Sequence, residues 1–466
     1  MKQLTKNFAS LGTSEIARKV LGFFAVAYLA RTLSLADFGL VSLGFTILSY
    51  TINITTAGFN LYGVRETARA SDPKLAGRLL SLRLLVAAVV FTLTALIAIV
   101  VVQNQMLVKL IIAFNCSLFA YAFMLEWYYQ GKEEMRTVSF GKSITAAVYL
   151  VLILILVRSD ADVLWVALSA VAGDFVMMVF YYVKYRREGH ELRLGIDRST
   201  WKLTMRQSLP LGVGTVLGHI SINLAPLIIA IMMTSADVGL YSAASKLVVF
   251  LLLFDRVLAI LLLPASARMQ ASSPDQLAPK LAEALKWILI VSLPLCIGGM
   301  LVSHDLIRLV FGDGYAFAGG LFRILIWYMC FTMIHTVFTS GLIAVAPGKV
   351  YGRVMSIGAV IYAVAVIVLT KLYGLNGAVF GVVLSEGLTL LIARASLRPY
   401  LHIRPSIAIH WVLAGLVIMS VAVVMLESYH LIVRVMVGGL VYASVLLLLR
   451  VCTVKEFLAL VWRKST

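Results

Sequence analysis

The chain has 466 residues, and hydrophobic residues make up 61% of it, well above the roughly 45 to 50% usual in soluble domains. Only 13% of the residues are charged, yet the formal net charge at pH 7 is +18. This composition excludes a protein built mainly of soluble domains and indicates one that lies largely within a bilayer.

Apolar runs long enough to cross a membrane follow one another along the whole chain. Because a span needs about 20 mainly apolar residues, the sequence predicts an all-α polytopic membrane protein with about 14 transmembrane helices. In chain order the spans cover roughly residues 13–33, 39–60, 80–102, 108–129, 138–157, 163–184, 207–233, 239–263, 281–303, 319–345, 350–370, 375–395, 406–426 and 431–450. After the last span, Thr453 to Lys464 has the pattern of an amphipathic helix on the inner leaflet.

Lysine and arginine residues are concentrated in alternate connections between the predicted spans. One side of the membrane receives the basic stretches 65–78, 132–136, 184–206, 268–280, 349–353, 394–404 and 450–464, whereas the other side has few cations, which stand among acidic residues. By the positive-inside rule, both termini are expected in the cytoplasm of a multi-pass protein of the cell (inner) membrane. A nucleic-acid partner is not expected, because its binding requires the cations on one folded surface.

Two segments of the first half return in the second half in the same order. Ala36–Ser42 (ADFGLVS) recurs as Ala236–Ser242 (ADVGLYS), and the Gly-Lys, Arg, Ser and Gly positions of 131–141 recur with the same internal spacing in 348–358. Such an ordered repeat predicts two pseudo-symmetric lobes of about six spans each, inserted the same way up. We expect an N-lobe over 1–200, a C-lobe over 201–400, and two extra spans with the cytoplasmic tail over 401–466.

Several short segments are similar to one family of transporters, and their order extends the similarity over nearly the whole chain. They are Arg18–Phe23, Leu29–Arg31, Phe38–Leu40, Arg65–Arg69, Trp127–Gly131 and Leu309–Gly312. These segments resemble the Wzx-type polysaccharide and O-antigen flippases of the multidrug/oligosaccharidyl-lipid/polysaccharide exporter superfamily, which also contains the multidrug (MATE) antiporters and the lipid II flippases. The resemblance implies a non-enzymatic fold whose lobes open alternately to the two sides of the membrane.

The same resemblance implies a substrate and partners. The substrate is an undecaprenyl-pyrophosphate-linked oligosaccharide repeat unit, carried from the cytoplasmic to the outer leaflet for polysaccharide biosynthesis and export. The implied partners are this lipid-linked oligosaccharide, the phospholipid bilayer, and the polysaccharide polymerase or chain-length machinery. No cofactor is implied apart from a coupling proton or sodium ion.

Cations within the spans are candidates for binding the substrate. In the related lipid II flippases a basic residue precedes the Val-Leu-Gly-Phe of the first span, and Lys19 stands there; their basic residue early in span 8 is matched by Lys246, although lysine replaces arginine. Both lysines either line the cavity or snorkel to an interface. Arg18 points about 100° away from Lys19 on a helix, so one of the two is expected to face lipid head groups. Arg83 is expected to snorkel.

Acidic residues within the spans are the second group of candidates. Asp174 and Glu386 each lie in the last span of their lobe, deep in the membrane. They are either protonated acids hydrogen-bonded between helices or sites of proton or sodium coupling. Asp255, beside Arg256, either offsets a charge on a neighbouring helix or joins the coupling acids, and His335 is expected to be a satisfied core histidine.

The sequence contains none of the spacings that hold metals or catalytic nucleophiles. The cysteines lie in or beside apolar runs without CxxC spacing, which indicates core packing. Two rival functions stay open. A multidrug/cation antiporter would have about 12 spans, so predicted spans 13 and 14 count against it. A polysaccharide polymerase or ligase needs a sizeable outer loop with catalytic Arg and His, whereas the outer stretch His304 to Phe317 is short.

Overall fold

The computed structural model describes residues 18–56, 58–69, 75–192, 194–195, 198–403 and 409–449, with side chains except at 198–200, 210, 211 and 213–222. All regular structure in these ranges is helical, so the predicted all-α fold is confirmed. The chain divides into two compact units, Met1–Ser242 and Ala243–Thr466, called unit 1 and unit 2 below. The tail predicted to be amphipathic lies outside the described residues.

Unit 1 is a bundle of long and short helices joined by tight connections. Its helices are α1 (18–32), α2 (Leu35–Thr56), α3 (Phe59–Arg69), α4 (Leu75–Val101), α5 (Gln105–Asn115), α6 (Ser117–Phe123), α7 (Glu126–Gly131), α8 (Met135–Leu156), α9 (Val163–Arg187), α10 (Arg198–Met232) and the first part of α11 (Ser235–Leu251). Helix α10 packs against α2 and α3, which extends this compact unit past residue 200. The lobe boundary proposed from the repeat remains a prediction.

The predicted span 108–129 is interrupted, and Arg83 of α4 explains how the interruption is tolerated. The chain leaves the helical path between α6 and α7, at Met124 and Leu125. The Arg83 guanidinium donates to the carbonyl oxygen of Met124 (3.3 Å) and to that of Tyr121, and its residue is only 1% exposed. The expectation that Arg83 snorkels is therefore wrong, because the broken helix offers its guanidinium two backbone carbonyl acceptors inside the bundle.

Both copies of the repeated heptapeptide begin a helix. At α2 the Ser34 hydroxyl donates to Asp37 Oδ2 (2.8 Å) and accepts the Asp37 N–H (3.2 Å). At α11 the Thr234 hydroxyl does the same with Asp237, at 2.7 and 3.3 Å. Each helix start is thus capped by a hydroxyl, and at α11 the Thr234 N–H also donates to Asp237 Oδ2 (3.0 Å), which completes a capping box.

The two helix starts also meet backbone to backbone. A Cβ atom on Gly39 would lie 1.8 Å from the carbonyl oxygen of Ser235, and one on Gly239 would lie 2.4 Å from that of Leu35. Any side chain at either position would force the helices apart. The glycines of the repeat are therefore explained by this close approach.

Unit 2 is organised around one central helix. It contains the end of α11, then α12 (Leu253–Ser272), α13 (Leu277–Leu301), α14 (Ser303–Phe311), α15 (Ala316–Val345), α16 (Gly348–Leu397), α17 (Ile409–Met425) and α18 (Leu431–Leu448). Helix α15 packs against α12, α13, α14 and α16, and the pair α17 and α18 packs against α13. The helix α16 is two helices joined at Gly374, whose φ of 60° is readily adopted only by glycine, and this break lies between predicted spans 11 and 12.

Large apolar side chains cover the outside of both units. Examples on α4 are Leu93 (54% exposed), Ile97 (61%) and Val100 (81%), a surface that only lipid can cover favourably. In the described part of the chain, ten helices are long and apolar enough to cross a membrane, and Asn223–Met232 and Ile409–Met425 are shorter apolar helices. The protein is a multi-pass membrane protein, and the count of about 14 spans stays a prediction.

Candidate functional site

In unit 1, Asp174 lies among hydroxyl groups. It is on α9, 6% exposed, and the hydroxyls of Ser117 and Tyr121 on α6 lie beside its carboxyl group. The Ser117 Oγ atom is buried without a well-formed hydrogen bond. On the neighbouring helices the Thr51 hydroxyl donates to Asn115 Oδ1 (2.7 Å), so polar groups are brought together inside an apolar bundle.

The two adjacent cations of α1, Arg18 and Lys19, are both half-buried, and each has an interaction partner. Arg18 is close enough to Tyr121 to act on it electrostatically.

Lys246 lies on the part of α11 that belongs to unit 2, and its side chain is exposed. Its position in a substrate cavity stays a prediction.

In unit 2, the structure brings together three titratable residues that are far apart in sequence. The imidazole Nδ1 of His335, on α15, lies 2.8 Å from Glu386 Oε1, on α16. The hydroxyl of the next residue, Thr336, donates to Asp255 Oδ1 of α12 at 2.6 Å. The side chains of His335 and Glu386 are only 12% and 15% exposed, so this pair is hydrogen-bonded inside the bundle.

Sequence reasoning did not pair His335 with Glu386. Its Nδ1 is satisfied, as expected of a core histidine, but its Nε2 is buried without a partner among the described residues. Asp255 interacts electrostatically with Glu386, His335 and Arg256. The signal available in the sequence was the coincidence of one histidine and two acids within three apolar spans of the same lobe.

The described residues contain no group of three or more His, Cys, Asp or Glu side chains arranged to hold a metal ion. The described cysteines are free thiols. Cys296 donates to the carbonyl oxygen of Ile326 (3.3 Å), and Cys330 lies 3.3 Å from the Ser292 hydroxyl, which fits packing in the core. Cys452 lies outside the described residues.

An apolar groove of about 600 Å³ runs along unit 2. It is lined by α11, α12, α13, α15, α17 and α18, and therefore needs the two helices that lie beyond the predicted lobes. Glycines widen it on two sides, through Gly298 and Gly299 on α13 and Gly438 and Gly439 on α18. At Gly439 an added Cβ would meet nothing within 4 Å, so this position faces open space. A groove of this size and polarity suits a hydrocarbon chain.

Comparison with known sequences identifies a family and a relative. The sequence profile of a family described as polysaccharide biosynthesis protein matches residues 4–270. A protein of Shigella dysenteriae named "putative O-antigen transporter" is 22% identical over 404 residues, which covers 83% of this chain and 98% of that protein.

Solved structures show the same fold at low sequence identity. A lipid II flippase, MurJ, in an inward closed conformation superposes with a TM-score of 0.76 at 12% identity, covering 94% of this chain and 98% of that one. An inward-facing multidrug resistance MATE family transporter of the MOP superfamily gives a TM-score of 0.65 at 12% identity, covering 82% and 94%. The expected superfamily fold is therefore confirmed.

Proposed function

Because the chain belongs to the family of polysaccharide biosynthesis proteins and has the fold of the MOP superfamily, we propose that it is a flippase for undecaprenyl-pyrophosphate-linked oligosaccharides. It carries one repeat unit at a time from the cytoplasmic to the outer leaflet of the inner membrane by alternating access. It transports the molecule without chemical change, and polymerase or chain-length machinery uses the product.

The apolar groove of unit 2 carries this proposal. A lipid-linked oligosaccharide joins a long hydrocarbon chain, a pyrophosphate and sugars, so its carrier must accept an apolar chain and a strong anion together. The groove offers about 600 Å³ of nearly pure apolar lining. A carrier of water-soluble cations would have no use for such a lining, because burying an unpaired charge there is costly.

Cations for the pyrophosphate are available in both units. Lys246 has an exposed side chain in unit 2, and Lys19 and Arg18 are half-buried on α1. A pyrophosphate that loses its hydration gains most from fixed cations in a low-dielectric cavity. These three residues are the proposed substrate-binding cations.

Polar contacts support the proposed topology. Glu134 pairs with Lys184, and Lys132 with Glu188 at 3.6 Å, all on the side predicted as cytoplasmic. The pair Arg434 and Asp305 joins residues predicted on the outer side. We expect reporters fused after Thr466 or within 188–198 to remain cytoplasmic, and reporters near Asp160 or Gly312 to be external. An external C-terminus contradicts the arrangement.

The multidrug antiporter is the second candidate, because the fold of a MATE family transporter is also similar. The two functions predict different phenotypes. A strain without the flippase accumulates lipid-linked single repeat units on the cytoplasmic leaflet and loses polymer, whereas a strain without an antiporter keeps its polymer and becomes drug-sensitive. Accumulation of single units on the outer leaflet instead would indicate a polymerase.

A groove-filling variant tests the proposal at the residue level. Gly439→Trp places a large ring where a Cβ meets no atom within 4 Å, so we expect normal folding and poor export of the lipid-linked unit. Gly352→Trp is the matched control, because that glycine is equally open and does not line the groove. Normal polymer output with Gly439→Trp at wild-type expression contradicts the role of the groove.

A further inference from the structure

A second groove lies on the outside of unit 1, between the consecutive helices α8 and α9, which pack against each other. This α8–α9 groove has a volume of about 790 Å³. Its apolar lining consists of Phe140, Ile144, Val176, Val179, Phe180 and Val183. Because Phe140 is 59% and Val179 49% exposed, the groove is open to whatever surrounds the helices, which in a membrane is lipid.

Three cations lie at one end of the α8–α9 groove. Arg136 comes from the first turn of α8, and Lys184 and Arg187 come from the last turn of α9. They stand at the ends of the predicted spans 138–157 and 163–184, on the side predicted as cytoplasmic. The cations are therefore expected at the level of the lipid head groups, with the apolar part of the groove extending from them into the membrane.

Two of these cations keep their charge available for a ligand. Lys184 is already engaged, since its ammonium pairs with Glu134 and, at 3.2 Å, with Glu188. Arg136 and Arg187 are exposed, and neither forms an ion pair with an acid in the part of the chain that the structure describes. The groove thus joins an apolar wall to two uncompensated positive charges, which is complementary to an anion carried on hydrocarbon.

The length of the groove matches one leaflet of a bilayer. On α9 its lining runs from Val176 to Arg187, and a rise of about 1.5 Å per residue gives a length of about 16 Å. The hydrocarbon core of a bilayer is about 30 Å thick, so one leaflet accounts for about 15 Å. The acyl chains of a phospholipid have this reach, whereas an undecaprenyl chain is longer than a leaflet.

We propose that the α8–α9 groove is a binding site for one anionic diacyl phospholipid of the phosphatidylglycerol type. The phosphate lies between Arg136 and Arg187, and the acyl chains cover the apolar wall. A zwitterionic phospholipid such as phosphatidylethanolamine carries an ammonium group beside its phosphate, and the two arginines repel that ammonium. The site therefore selects lipids by net charge. It needs only membrane lipid, so it does not rest on the flippase function.

The test measures lipid binding by native mass spectrometry. Delipidated full-length protein in detergent is titrated with dioleoyl-phosphatidylglycerol or with dioleoyl-phosphatidylethanolamine. We expect wild type to bind one phosphatidylglycerol with roughly tenfold higher affinity, because each basic residue near a lipid surface adds to the attraction. Combining Arg136→Gln with Arg187→Gln should abolish this preference.

A second variant tests the apolar part of the groove without changing any charge. Val179→Trp places a large ring against the wall, so we expect weaker binding of phosphatidylglycerol. Its matched control is Leu168→Trp, which adds the same ring at an exposed position of α9 outside the groove and should bind the lipid normally.

The matched control for the arginines is Arg353→Gln combined with Arg398→Gln. It removes two exposed cations near the ends of α16, and neither residue lines the groove. Arg353 is the equivalent of Arg136 in the sequence repeat, so the charge is removed at the corresponding place in unit 2. This control should keep the preference of wild type.

Each of the other outcomes overturns the site. Equal binding of both lipids to wild type shows no selection by charge, and an unchanged preference in the Arg136 and Arg187 variant places the lipid elsewhere. A preference that the Arg353 and Arg398 control also loses reflects the total charge of the protein. Normal binding by Val179→Trp excludes the apolar wall. If undecaprenyl pyrophosphate binds through Arg136 and Arg187 and phosphatidylglycerol does not, the groove holds the transport substrate instead.

Discussion

Asp174 of unit 1 and Glu386 of unit 2 lie in matching helices of the sequence repeat, yet their surroundings differ. Asp174 faces the hydroxyls of Ser117 and Tyr121. Glu386 is hydrogen-bonded to the imidazole of His335, beside a second acid. Equivalent positions in the two halves therefore hold acids with different hydrogen-bonding partners, hydroxyl groups in unit 1 and an imidazole in unit 2.

The packing around the two acids is nevertheless shared. Gly141 and Gly358 are equivalent positions of the repeat, each on the helix before its acid. A Cβ atom on Gly141 would lie 2.5 Å from the Tyr181 hydroxyl, and one on Gly358 would lie 2.6 Å from Thr389 Cγ2. In both units the fifth helix of the repeat thus approaches the sixth through a glycine. At this pair of helices the two units therefore share their packing, and the acids differ in the side chains around them.

The largest effect on transport is expected from replacing the proposed pyrophosphate-binding lysine of each unit, Lys19 in unit 1 and Lys246 in unit 2. Replacing either with Glu turns an attraction for pyrophosphate into a repulsion, each worth about 1 to 4 kcal/mol at 4 Å. Polymer output or flipping of the lipid-linked unit should fall roughly tenfold or more. Alanine should be less harmful and arginine should retain much of the activity.

The matched control for these variants is Lys349→Glu, which reverses an exposed charge at the start of α16. It should transport normally. Normal polymer output from both Lys19→Glu and Lys246→Glu, at wild-type expression, shows that these lysines only snorkel.

The structural role of Asp174 is tested by removing its polarity. Asp174→Leu leaves the buried Tyr121 hydroxyl without its acceptor, and should lower the free energy of unfolding by roughly 1 to 3 kcal/mol. Asp174→Asn should remain near wild type, because an amide still offers a hydrogen-bonding oxygen. Thermal unfolding of purified protein measures the difference, and the comparison fails if the leucine variant is as stable as the asparagine variant.

The shared packing is tested by adding one methyl group at each repeated glycine. Gly141→Ala and Gly358→Ala should each lower the free energy of unfolding by about 1 to 2 kcal/mol, because Tyr181 or Thr389 must shift in a packed helix pair. Gly352→Ala is the control, since a Cβ there meets nothing within 4 Å. Similar losses of stability in both alanine variants support shared packing in the two units. A loss of stability in only one variant shows that the two helix pairs pack differently.

The smallest effect is expected at Glu134, an acid outside the membrane-spanning segments. Partial burial by itself raises the pKa of Glu134, but the Lys184 ammonium and the Thr137 hydroxyl outweigh it and hold the pKa below its ordinary value. The Glu134 side chain is 38% exposed, so water screens the pair and its contribution should be below about 1 kcal/mol.

Because the pKa of Glu134 is lower in the folded state, the stabilisation is present above the unfolded pKa and is lost as the pH falls through the folded one. Unfolding of wild type and Glu134→Gln should therefore differ slightly near neutral pH and converge in acid. If the stability difference between wild type and Glu134→Gln grows as the pH falls, the pKa of Glu134 is not lowered in the folded state.

Composition alone determined much of the fold, because the bilayer leaves few choices. A segment without water to satisfy its backbone must be helical, so apolar runs of sufficient length were enough to predict an all-α membrane protein, and the separation of spans 11 and 12 was visible in the sequence. The repeat could be read directly because Ala36–Ser42 and Ala236–Ser242 keep the same polar and glycine positions.

Only the tertiary structure decided which polar groups meet. Glu386 and His335 are separated by 51 residues, and their contact depends on how α15 and α16 are rotated against each other, which a chain of uniformly apolar residues does not encode in its periodicity. The prediction for Arg83 was wrong for the same reason. Hydropathy gives the depth of a residue in the membrane, but it does not show which side of α4 faces the break between α6 and α7. The groove along α13 and α18 likewise follows from the packing of helices whose sequences are apolar on every side.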